Sequence, residues 1–315
     1  MNGPLALICQ GGAGVLPDPA ASAAGLAEAL EKGYRLLRQS ADALDVVVET
    51  VRIMEDNPVF NAGTGSSLNL EGVAEMDAGV MTQDGRFGGV CAVTGVRNPI
   101  LLAHKVMTET DHLLLCGRGA EAFARQMGFP EYDVVTERAR ERLAKFKEEG
   151  VSDYFPRLAA RLRAKAEERG GGSVSETHKM GTVGAVAYDK HGVLAAATSS
   201  GGIVGRLPGR VGDSAIPGAG VYAGPSGAVS CTGHGEAIVR IGLGRDIVER
   251  MKTIPAATAA ILVIAEAKRR KIMCGLVGID ARGQVCFGHT TPDMAWGYVV
   301  ADKLFMFTDS DRKRR

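Results

Sequence analysis

The chain has 315 residues, 45% hydrophobic and 23% charged, which allows a large core and excludes a disordered polypeptide. Thirty-seven Lys and Arg against 36 Asp and Glu leave a net charge of +1, which excludes a general polyanion binder and with it a nucleic-acid partner. The longest apolar stretch, near Ala256–Ala267, falls short of the roughly 20 residues of a spanning helix, and the Met1–Leu5 start has no basic leader, so the expectation is a cytoplasmic protein without a membrane partner. Six scattered cysteines read as reduced thiols, and Cys231-x-x-His234 lacks the second half of a zinc site. The 42 glycines, nearly twice the ~7% norm, cluster and therefore mark tight turns and close backbone approaches.

In chain order, Pro4–Cys9 reads as a buried strand entering Gly11-Gly12-Ala13-Gly14, and Ala20–Leu37 and Ala43–Met54 carry helical periodicity. A Gly/Asn/Ser loop spans Phe60–Gly72, and Ala74–Met81 and Phe87–Val96 alternate as strands. Asn98-Pro99 opens a helix to about Thr108, followed by a strand at Leu113–Cys116 and a helix at Gly119–Met127. From Asp133 to Gly172 the chain is dense in Glu, Arg and Lys and reads as solvated helix passing into a flexible linker. Beyond it, Thr182–Tyr188 and Val193–Ala197 form a hairpin pattern and Ala228–Cys231 a further strand. Helices are expected at Glu236–Met251 and Pro255–Arg270, with a second hairpin at Leu276–Asp280 and Gln284–His289. The Asp309–Arg315 tail is charged. Antiparallel runs and paired helices point to sheets between helical layers, in one domain interrupted by one linker.

The junction His178-Lys179-Met180-Gly181-Thr182-Val183-Gly184-Ala185-Val186 admits two readings. In one, Thr182 is a β-branched residue that opens a strand. In the other, the Gly181–Thr182 bond is cut and the freed α-amine, with a reference pKa of ~7.7–8.0, acts as base to the Thr182 hydroxyl. Downstream, Ala195-Ala196-Ala197-Thr198-Ser199-Ser200-Gly201-Gly202 places hydroxyls at a strand end. Arg210 and Asp213 offer a guanidinium for an α-carboxylate and a carboxylate for an α-ammonium. In Val229-Ser230-Cys231-Thr232-Gly233-His234-Gly235-Glu236 a strand ends at a helix start, where backbone N–H groups favour a developing oxyanion.

These runs, with Gly11-Gly12-Ala13-Gly14 and Asn57-Pro58-Val59-Phe60-Asn61-Ala62-Gly63-Thr64-Gly65-Ser66 upstream, closely resemble the plant-type L-asparaginase/isoaspartyl peptidase family of N-terminal-nucleophile hydrolases. The resemblance runs from about Leu5 to Tyr298, omitting Asp133–Glu176. It implies an α+β fold, an αββα four-layer sandwich, made as one precursor that cuts itself into an α subunit (1–181, with a flexible linker from about 133) and a β subunit (182–315). Thr182 would be the nucleophile toward L-asparagine or β-aspartyl dipeptides, hydrogen-bonded by Ser200, with Asn61 beside it. Arg210, Asp213 and the Gly235 carbonyl would hold the substrate's charged groups, and the Thr232 hydroxyl and Gly233 N–H would form the oxyanion hole. No cofactor is implied for the chemistry. A sodium-like structural ion would sit on the carbonyls of Met54, Glu55, Asn57, Phe60, Ala62 and Thr64, and the assembly would be a homodimer of cleaved protomers.

The chain departs from that pattern at Ser200, where Thr is usual, at Gln10, where His is usual, and at Met273-Cys274-Gly275, where Cys274 is expected to reshape the specificity pocket. Other readings are a glycosylasparaginase, disfavoured by Gly181 where such enzymes carry Asp, and a non-catalytic family member. Leu113-Leu114-Leu115-Cys116-Gly117-Arg118-Gly119-Ala120-Glu121-Ala122 gives a distant third, an NAD-dependent dehydrogenase, though no second strand ends in an acidic residue about 20 positions on.

Overall fold

The computed structural model describes residues 5–149, 155–158 and 181–307. Twelve strands and eight helices lie within them. In the first half are β1 (Ala6–Gly14), α1 (Pro19–Arg38), α2 (Ala43–Asp56), β2 (Met76–Thr82), β3 (Phe87–Val93), α3 (Pro99–Glu109), β4 (Leu114–Cys116), α4 (Gly117–Gln126) and α5 (Glu137–Glu149). The second half holds β5 (Val183–Tyr188), β6 (Leu194–Ser200), β7 (Val221–Gly224), β8 (Gly227–Gly233), α6 (Gly235–Ile241), α7 (Leu243–Arg250), α8 (Ala256–Arg269), β9 (Cys274–Asp280), β10 (Val285–His289), β11 (Asp293–Val300) and β12 (Lys303–Met306).

An eight-stranded sheet runs β12-β11-β1-β5-β6-β2-β3-β4, and a four-stranded sheet runs β10-β9-β8-β7. Every pairing is antiparallel except β3 with β4. Strands β1, β5, β6 and β2 of the large sheet pack on β7, β8 and β9 of the small one. Helices α1, α2 and α3 pack against the large sheet and α7 and α8 against the small. The fold is thus mixed α and β. At α1, the Asp18 side chain accepts the Ala21 N–H at 2.9 Å ahead of Pro19, and Leu26, Ala29, Leu30, Tyr34 and Leu37 form the buried stripe. Close approach of the sheets explains Gly184, because a Cβ there would lie 1.8 Å from the Ser230 Oγ of β8.

Several expectations need correcting. The helix expected over Glu236–Met251 breaks in two at Gly242, whose φ of +59° ends α6. Strands β7, β11 and β12 were not anticipated, although β11 pairs with β1 along most of its length. Strand β2 overlaps the strand expected there, and all seven of its residues are buried, with α3 and β7 packed on it. Of the expected linker, Glu137–Glu149 is helix, and 150–154 and 159–180 lie outside the described residues, as do Pro4 and the Asp309–Arg315 tail. The dehydrogenase reading meets a strand, a glycine and a helix at β4 and α4, but β4 is a three-residue, largely exposed edge strand.

Candidate active site

Three chain segments bring the candidate nucleophile into a cleft. Val183 and Asp77 stand opposite Ser199 and Ser200 of β6, so Thr182, just ahead of β5, lies beside the end of β6. Thr182 is 5% exposed, and its Oγ1 donates to the Ser200 Oγ at 3.2 Å. The same Ser200 oxygen accepts the Gly202 N–H at 3.0 Å, so this hydroxyl is held from two sides. Asn61 ties its own loop to the turn after β6. Its Oδ1 accepts the Ser67 N–H at 2.7 Å, its Nδ2 donates to the Gly202 carbonyl at 2.7 Å, and its carbonyl accepts the Gly201 N–H at 2.8 Å. A Cβ at residue 181 would lie 3.1 Å from the Asn61 Cβ, so Asn61 abuts the residue that precedes Thr182.

The facing wall carries charge. Arg210 Nε and Nη2 each donate to one carboxylate oxygen of Glu236 at 2.8 Å, a two-pronged pair. Burial pushes Glu236 up, but hydrogen bonds from His234 and Arg210 outweigh it and hold the carboxyl well below the usual range. Asp213 lies next to this pair, since a Cβ on Gly235 would meet Arg210 Nη2 at 2.7 Å and Asp213 Oδ1 at 3.0 Å. Its Oδ2 is buried with no hydrogen-bond partner among the described residues. Burial pushes the Asp213 carboxyl up to about 7 despite the Arg210 charge. Thr182, Ser200, Arg210, Asp213 and Gly233 all line the one cleft, and Ile203 joins its wall while packing against Phe155 and Met273.

At the end of β8, Thr232 is fully buried and its Oγ1 accepts the Ala13 N–H at 3.2 Å, while the next residue, Gly233, is the one that lines the cleft. Gly233 holds a φ of +132°, and a Cβ there would lie 2.5 Å from the Met273 carbonyl, so only glycine serves. Gly233 pairs with Cys274, which is buried, its thiol pushed up to about 11 by burial. Gln10 accepts the Gly12 N–H at 2.7 Å and reaches Ser230, which is linked to Thr198 at 2.8 Å between the sheets.

In the loop after α2, the carbonyls of Met54, Asn57 and Glu55 accept the N–H groups of Asn57, Phe60 and Thr64. The Arg138 guanidinium of α5 donates to the carbonyls of Pro58 and Val59 on the same loop. Among the described residues, no group of three or more His, Cys, Asp and Glu side chains is placed to hold a metal ion.

The family model described as Asparaginase matches residues 3–308. The chain belongs to the asparaginase family. It is 39% identical over 305 residues to "Plant-type L-asparaginase" of Pyrococcus horikoshii, covering 94% of this chain and 96% of that one. It is also 39% identical to "Isoaspartyl peptidase/L-asparaginase" of Danio rerio (95% and 93% covered) and 41% identical to "Isoaspartyl peptidase" of Salmonella typhimurium (87% and 86% covered).

Three residues that hold the lining of this asparaginase-family cleft, without lining it themselves, carry no local signal of that role in the sequence. Glu236 stands at the end of the Val229–Glu236 run, where nothing local announces its partnership with Arg210. Arg206 is 1% exposed and donates to the carbonyls of Ser67, Ile203 and Glu75, which stitches two site loops together. Desolvation lowers it to about 10, opposed by the Asp77 charge. Asp77, 3% exposed, accepts two backbone N–H groups, from Ala92 at 2.9 Å and from Gly212 at 2.8 Å.

Proposed function

We propose that this chain is a self-cleaving hydrolase that converts L-asparagine to L-aspartate and ammonia and cleaves β-aspartyl dipeptides through an acyl-enzyme on Thr182. One observation carries the reading: a buried Thr hydroxyl within hydrogen-bond reach of Ser200 shares a cleft with a guanidinium and a carboxylate oxygen lacking a partner. In self-cleavage, the Thr182 Oγ1 attacks the Gly181 carbonyl carbon, the C–N bond breaks as the hydroxyl proton passes to the departing Thr182 amine, and water hydrolyses the resulting ester to a Gly181 carboxylate and a free Thr182 hydroxyl. That amine then takes the Oγ1 proton as Oγ1 attacks the substrate's side-chain carbonyl. The Thr232 hydroxyl and Gly233 N–H receive the developing negative charge, ammonia or an amino acid leaves with a proton, and water releases aspartate. Asp213, with the Gly235 carbonyl, holds the α-ammonium, and Arg210 holds the α-carboxylate.

The packing of α1–α3 and of α7–α8 on opposite sheets supports the αββα layering. An alkali ion on the carbonyls of Met54, Glu55, Asn57, Phe60, Ala62 and Thr64 fits a neutral, hard oxygen set, of which three oxygens already accept one loop N–H each. It would order the Asn61 loop and take no part in the chemistry.

The deciding assay measures ammonia release from L-asparagine beside amino-acid release from β-aspartyl dipeptides. Turnover of at least one is expected, abolished by Thr182→Ala. Turnover of neither by cleaved protein would contradict the reading.

A further inference from the structure

Arg210 reaches the cleft from a loop with no regular secondary structure, so something outside the loop must set its height. Glu236 holds the guanidinium itself, and the loop is tied at Gly209 to the Glu75 carboxylate and at Gly212 to Asp77 on β2, directly across the ladder from Ser200. One Asp77 oxygen accepts the Gly212 N–H at 2.8 Å, from the loop itself, and the other accepts the Ala92 N–H at 2.9 Å, from the end of β3. Gly212 lies between Arg210 and Asp213 in sequence, and a Cβ on it would stand 2.9 Å from Arg210 Nη1 and 3.3 Å from Asp77 Oδ2. The carboxylate and the guanidinium thus flank one glycine at a spacing that leaves no room for a methyl group. A buried carboxylate with both oxygens on backbone amides is a rigid tether, since each lost bond strands a buried donor.

We infer that Asp77 is the positioning residue of the substrate clamp: it pins Gly212 to the large sheet and so fixes the Arg210 guanidinium where the α-carboxylate binds, on the same strand pair that presents Ser200 to Thr182. This rests on the reading that Arg210 takes the substrate's carboxylate. Asp77 touches no substrate. Its effect falls on recognition of the carboxylate and spares the bond-breaking step.

The test assays Asp77→Asn and Gly212→Ala on L-asparagine and on L-asparaginamide, in which that carboxylate is neutral. Asn keeps the shape of Asp77 but sets an NH2 against one of the two amide donors and removes the charge. Gly212→Ala keeps the carboxylate and crowds the guanidinium instead. In both variants the preference for asparagine over asparaginamide in kcat/KM is expected to fall at least about tenfold, through KM, as in Arg210→Ala. Equal losses on both substrates, with the preference intact, would mark Asp77 as a general structural residue and overturn the inference. An intact preference in Arg210→Ala would instead remove Arg210 from the carboxylate site. Should Asp77→Asn fail to fold or to cleave, Gly212→Ala alone separates these outcomes.

Discussion

Arg210 and Asp213 stand side by side in one cleft wall and are in opposite electrostatic states. The guanidinium is paired through two hydrogen bonds with Glu236 and lies in the field of Asp77. The carboxylate has one oxygen unpartnered, and burial pushes it up to about 7. The paired end contributes to folding as well as to binding, whereas the unsatisfied end is a cost in the free protein that a ligand cation relieves.

Arg210→Ala gives the largest effect expected from this contrast. It leaves Glu236 without its guanidinium and Asp77 with only Arg206, so thermal unfolding should show a loss of about 3–5 kcal/mol, with a drop of about 2–5 kcal/mol in transition-state binding of asparagine. Asp213→Asn should weaken asparagine binding less, by about 1.5–3 kcal/mol, and leave stability within about 1 kcal/mol of the parent, since it removes a buried charge that burial disfavours and that has one oxygen unpartnered. Equal destabilisation by the two variants would break the comparison. The smallest effect is on pH dependence. Only ionised Asp213 holds an ammonium, so KM for asparagine should rise about tenfold per unit as pH falls below about 7, and Asp213→Asn should abolish that limb. The sign for folding is the reverse. A folded carboxyl titrating near 7, against ~3.9 unfolded, holds an extra proton between those values, so its contribution to stability declines as pH rises through that window.

The parts legible in the sequence were those written in local pattern. Helices α1, α2, α3 and α8 and the hairpins β5–β6 and β9–β10 followed from periodicity and turn residues, with ends displaced by at most three residues, the most at β6, which runs on to Ser200. Thr182, Ser200, Arg210, Asp213 and Gly233 were named from short runs and meet in one cleft. What escaped depends on the third dimension. A polar residue alternating with apolar ones in β2 signals a wet face, and only the material covering both sides makes Asp77 a buried anchor. Glu236 meets Arg210 across 26 residues, a partnership that no local pattern encodes. Strands β11 and β12 lacked a turn signal of the common two-residue kind. The turn between them places Ala301 and Asp302 at positive φ, a conformation that sequence preference assigns to glycine or asparagine.

The central claim is that Thr182 attacks substrate only once the chain is cut in front of it and its own amine is free to act as base. N-terminal sequencing of the purified, catalytically active protein tests this directly. The account predicts a second N-terminus reading Thr-Val-Gly-Ala-Val, absent from inactive Thr182→Ala. A fully active preparation with residues 181 and 182 still joined in every chain would contradict it.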